Sequence, residues 1–113
     1  MTNEKVTDGT FDRAVDDFDR QRQEVLATLI EELGDAVLDP EGAEFGRIMR
    51  HAQKLLNKTD VEMSLLFKVS RPTIGRWTRN VTAPHPLLRR AAFDTLLVEA
   101  KRALRSVRQR VDC

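Results

Sequence analysis

Two helix-start signals stand eleven residues apart in this chain, and together they leave room for only one short helix and a tight turn between them. Thr59-Asp60-Val61-Glu62 has the form of a capping box, in which the threonine oxygen takes a free backbone N–H and the glutamate three residues on answers it. Ser70 is the next strong capping residue, although Pro72 disfavours helical geometry at Arg71 and offers that position as an alternative cap. The spacing therefore predicts a short helix from Asp60 to Phe67, a turn at Lys68 and Val69, and a further short helix reaching about Asn80.

Around this pair the apolar residues recur at helical intervals. Phe11, Val15, Phe18, Val25, Leu29 and Leu33, with Leu26 and Ile30 alongside, predict a long first helix that Gly34 ends as a left-handed cap. Asp35 to Gly42, with Pro40 and Gly42, reads as a connector, either irregular throughout or with one helical turn at Ala36 to Leu38. Phe45, Ile48, Met49, Ala52, Leu55 and Leu56 share one face of a second helix, with Arg47, Arg50 and Lys54 opposite. Val81 to His85 is a loop, and Pro86 opens a last helix that runs to about Val111. Along it Phe93, Leu97, Ala100, Leu104, Val107 and Val111 alternate steps of four and three, a heptad-like seam. At about 1.5 Å per residue that helix is roughly 39 Å long, more than a small core covers, so the seam meets either the first helix or the same region of a second chain. The fold class expected is all-α.

With 113 residues the chain has material for one core. No stretch approaches the roughly 18 to 20 apolar residues that span a bilayer, and Met1 to Thr10 is polar, so no membrane association and a cytoplasmic location are expected. Cys113 is the only cysteine and stands with just His51 and His85, too few ligands for an internal disulfide or a structural metal site. Neither a Gly-rich phosphate loop nor a nucleophile–base pair is present, and no cofactor or catalytic activity is expected.

The formal net charge of +1 conceals a division. Residues 1–45 carry four cations and thirteen anions, a net −9, whereas residues 46–113 carry fifteen cations and five anions, a net +10. Such a split marks a basic nucleic-acid face with an acidic segment attached, or else two solvated helix faces that attract one another.

The stretch Asp60 to Trp77 resembles the helix-turn-helix of the phage-repressor or Cro-like (Xre-type) DNA-binding family, and the likeness extends over roughly Ala43 to Leu97. Ser64 stands where the family has a small residue, Val69 is the apolar residue after the turn, Ile74 the branched wedge and Trp77 the aromatic that closes the helix onto the core. Lys68 occupies the turn position usually held by glycine, which requires either a left-handed lysine or a different turn. The resemblance implies an all-α helix-turn-helix core (43–84); outside the family pattern, the chain's own periodicity and charge add an acidic helical arm and connector (1–42) and a long C-terminal helix (85–113) for packing or dimerisation.

Geometry alone gives the same face for the reading helix. At 100° per residue Ile74 and Trp77 point one way, while Pro72, Gly75, Arg76 and Arg79 cluster on the other. Small residues let a backbone approach the major groove, and arginine donates a bidentate pair to guanine. Ser70, Arg71 and Thr73, at the start of that helix, fall near base edges or flanking phosphates. Thr59 and Lys58 start the preceding helix and are phosphate candidates through free N–H groups and charge; Arg89 and Arg90 are further ones. The function expected is a sequence-specific regulator of transcription, a homodimeric repressor on double-stranded DNA. The alternative is a protein-interaction module on the same fold, an antitoxin, anti-repressor or RNA polymerase partner, with the acidic first helix as the protein-binding element.

Overall fold

A computed structural model describes residues 10–112 and the side chains of residues 13–109; among these the chain is all-helical, without a strand. Its helices are α1 (Thr10–Leu38), α2 (Phe45–Leu55), α3 (Asp60–Phe67), α4 (Arg71–Thr78) and α5 (Pro86–Asp112).

The short helices begin and end for local reasons. The Glu62 N–H donates to Thr59 Oγ1 at 3.1 Å and the Thr59 N–H to Glu62 Oε1 at 2.9 Å, so the capping box is closed in both directions. The Thr59 backbone N–H, and secondarily the Thr59 side chain, hold the Glu62 carboxyl below its ordinary pKa. Ser70 Oγ accepts the Thr73 N–H at 3.2 Å, so the cap stays at Ser70 and Pro72 falls within the first turn, where a missing N–H costs nothing. Between the two, Lys68 is left-handed at φ 58° and ψ 44°, and the Val69 N–H reaches back to the Ser64 carbonyl at 3.0 Å. The left-handed lysine costs about 1–2 kcal/mol that glycine would not carry, and the carbonyl bond helps to offset it. Asn57 and Asn80 turn left-handed after α2 and α4, as asparagine tolerates.

One core joins all five helices. Leu26, Leu29 and Leu33 of α1 meet Met49 of α2, Met63 of α3, Ile74 of α4 and Phe93 and Leu96 of α5, all essentially without solvent contact. Phe45 lies 5.4 Å from Phe93 between ring centroids, and Lys58 reaches Glu99 at 3.5 Å, so α2 and α5 run in the same direction. Arg22 donates to the Leu55 carbonyl while Glu32 accepts from Arg47 at 3.1 Å and pairs with His51 at 2.9 Å, so α1 runs against both. The acidic α1 and the basic α5 consequently pack along one another in opposite directions.

Two expectations change, and one open alternative is decided. Gly34 does not end the first helix: α1 continues four residues past it to Leu38, because Ala36 is buried and Val37 packs on the core, extending the stripe of Leu29 and Leu33. Gly34 itself has open space where a side chain would stand, so nothing there calls for a break. At the other end of α1, Val15 and Phe18 are exposed, Phe18 by 65 %, because the helix outruns α2, whose last residue Leu55 is met by Arg22; Val25 is exposed at the rim beside His51 and Leu55. Lastly, the α5 seam is satisfied inside the chain: Phe93, Ala100, Leu104 and Val107 are buried and Leu97 is half-buried in the core shared with α1. The Phe11 and Val111 side chains, and Cys113, lie outside the described residues.

Candidate nucleic-acid interface

The eight residues of α4 sit on a platform made by α2 and α3. Ile74 is fully buried, and Trp77 meets Phe45 edge-on at 5.6 Å and Phe67 edge-on at 5.9 Å. Edge-to-face aromatic pairs add about 0.5–1.5 kcal/mol each beyond the area they bury, so the rotation of α4 is strongly determined. Ser64, where a small residue is needed between α3 and α4, is buried with its hydroxyl donating to the Val61 carbonyl at 2.7 Å. Behind the helix, Arg50 donates to the Thr78 carbonyl at 2.6 Å, placing a cation at the negative end of α4.

With Ile74 and Trp77 inward, the opposite face turns outward. Arg71, Pro72, Arg76 and Arg79 are exposed and line one groove together with Gly75 and Asp60. A chain of hydroxyls runs along its edge: Ser70 Oγ lies 2.8 Å from Thr73 Oγ1, which accepts from Arg76 at 3.3 Å. Among the described residues no carboxylate lies within 4 Å of the guanidinium groups of Arg71, Arg76 or Arg79. A concentration of unpaired cations on a rigid helix is suited to polyanions, and the planar fork of arginine to bidentate acceptors.

Other expected residues take different places. Gly75 is buried, not open: the Arg79 side chain lies across it, and a Cβ there would stand 3.0 Å from Arg79 Nη1. Thr59 is exposed beside the groove as the cap of α3. Lys58 is not free for a phosphate, since its half-buried ammonium braces the turn before α3 to Glu99 of α5, and Glu99 also takes Arg102 at 3.1 Å. Arg89 donates to the Pro84 carbonyl at 3.1 Å and shapes the loop before α5, whereas Arg90 is exposed. Asp60 is a groove residue that the sequence pattern did not reveal. As the first residue of α3 it reads as a charge for the helix dipole, and only the packing of α3 on α4 brings it to the arginines.

The acidic helix engages the platform from another side. Glu32 bridges Arg47 and His51; burial pushes its carboxyl upward, but hydrogen bonds from His51 and Arg47 outweigh that and leave it below its ordinary pKa. Among the described residues no cluster of three metal-ligating side chains occurs, and no helix is long and apolar enough to cross a membrane. Compared with protein families, curated proteins and solved structures, the chain matches none.

Proposed function

We propose that this chain is a sequence-specific double-stranded DNA-binding regulator of transcription, a cytoplasmic dimeric repressor that reads the major groove with α4. The observation that carries the reading is the division of α4. Ile74 and Trp77 are held in the core, and Arg71, Arg76 and Arg79 stand outward, without carboxylate partners among the described residues, around a groove that Pro72 and Gly75 also line. In this reading Arg76 and Arg79 face base edges, Arg71 and Thr73 sit at the end of the helix that enters the groove, and the exposed Thr59 hydroxyl and the start of α3 lie against a flanking phosphate. Repression follows from occlusion of the bound site.

A protein-interaction module is the second reading, and the exposed Val15, Phe18 and Val25 of α1 favour it, because an acidic helix with an uncovered apolar strip fits a basic partner. Selection of bound sites from random duplex DNA separates the two. The first reading predicts a two-fold symmetric consensus whose half-sites are about one helical turn or a multiple apart. Recovery of no consensus, with an affinity that hardly changes with salt, would overturn it.

A further inference from the structure

The outer face of α5 carries an apolar stripe that the core does not use. Leu87, Ala91 and Val98 fall within about 40° of one another at 100° per residue, roughly opposite the buried Phe93, Ala100 and Leu104. Leu87 is 83 % exposed, Leu88 59 % and Val98 49 %. Alongside lies an apolar groove whose lining includes Leu66, Phe67 and Val69 from the helix-turn-helix and Leu88 and Ala91 from α5. Projecting leucines and a receptive groove therefore occur side by side on one surface. Arg90 and Asp94 stand one helical turn apart on the same edge of the stripe. Both are exposed, and among the described residues neither lies within 4 Å of an opposite charge.

We propose that this face is the docking surface for a second copy of the chain, with α5 crossing α5 in antiparallel fashion near Ala91. A two-fold axis makes like edges of the two helices face each other, so Arg90 of one protomer meets the partner's Asp94, and the pair forms twice. Leu88 of each protomer then enters the groove of the other, and the small Ala91 permits close approach at the crossing. The exposed strip on α1 lacks this complementarity, because the charges beside it, Asp17 and Arg20, already pair within their own helix at 3.6 Å. The inference rests on the proposed DNA-binding function only for its purpose, which is to present two reading helices to two half-sites.

Sedimentation of the full chain tests it, with circular dichroism as the control for folding, since every substituted residue is exposed. The wild type is expected to be a dimer. Leu88→Glu and Asp94→Arg each weaken it by roughly tenfold or more in Kd, about 1.4 kcal/mol at least, and the double exchange Arg90→Asp with Asp94→Arg restores it. Phe18→Glu leaves the dimer intact. A wild-type monomer at roughly 100 μM, a regime of weak association, would overturn the proposal. So would a dimer that survives Leu88→Glu, one that Phe18→Glu dissolves, or an exchange that fails to restore. A dimer that binds no DNA removes the proposed function and leaves this interface standing; a monomer that binds one half-site removes the interface and the dimeric part of that function and leaves α4 as the reading helix.

Discussion

Trp77 and Phe45 form a T-shaped pair, with centroids 5.6 Å apart and planes at 86°, and this contact ties the last turn of α4 to the first turn of α2. Gly46 makes the approach possible. A Cβ at that position would stand 2.9 Å from the Trp77 carbonyl, so the backbones of the two helices meet where no side chain fits. The outward direction of Arg76 and Arg79 is thus a consequence of packing on the far side of the helix.

Removing that packing should cost far more than removing the arginines. Trp77→Ala is expected to lose about 3–5 kcal/mol of stability and Ile74→Val about 0.5–1.5, with Trp77→Phe retaining part of the aromatic contact. Urea unfolding followed by circular dichroism measures all three. Equal losses for Arg76→Ala and Trp77→Ala would mean that the inward and outward faces are misassigned.

Arg76→Ala and Arg79→Ala should leave the unfolding midpoint nearly unchanged, since both side chains are exposed and, among the described residues, lack ion-pair partners. Each should weaken binding to a selected duplex by about 1–3 kcal/mol and relax preference at one base position. Lys58→Ala should act the other way round, lowering stability through loss of its Glu99 contact while sparing base preference. Fluorescence anisotropy across duplex variants separates these patterns.

Gly75→Ala sets stability against recognition. Alanine gains about 0.8–1 kcal/mol of helix propensity over glycine, while its methyl group displaces the tip of Arg79, which a flexible side chain allows. The melting temperature should rise slightly and affinity for a selected duplex should fall. A rise in both would remove any need for the guanidinium to lie across that glycine.

The Glu32 bridge between α1 and α2 gives the fold an acid-sensitive brace. Its carboxyl titrates below its ordinary pKa, so the charged form is stabilised by folding; the benefit is complete above the unfolded value and is lost as pH falls through the folded one. Thermal unfolding between about pH 6 and pH 3 should show wild-type stability falling more steeply than that of Glu32→Gln, with the two curves converging at the acid end. Parallel curves would mean that His51 and Arg47 contribute nothing to holding α1.

Much of this architecture was legible because its signals are local. The Thr59 and Ser70 caps, the Pro86 start and the inward phase of Ile74 and Trp77 each depend on residues within one or two helical turns. What escaped depends on distance. Gly34 reads as a stop until the burial of Ala36 and Val37 carries the helix past it, and Phe18 reads as core until the length of α2 is known. The seam on α5 has the spacing of a dimer contact and of an intramolecular one alike; only the opposite course of α1 decides between them. In the site, Arg76 and Arg79 follow from helical phase. Asp60 and the covering of Gly75 depend instead on how α3 lies on α4 and on where one long side chain rests.

The most direct measurement is amide and arginine side-chain NMR of the full chain titrated with a selected duplex. The account predicts that the largest shifts fall on Ser70 to Arg79 and on the Thr59 cap, with the guanidinium signals of Arg76 and Arg79 among them. Shifts concentrated instead on the exposed strip of α1, with α4 silent, would contradict it.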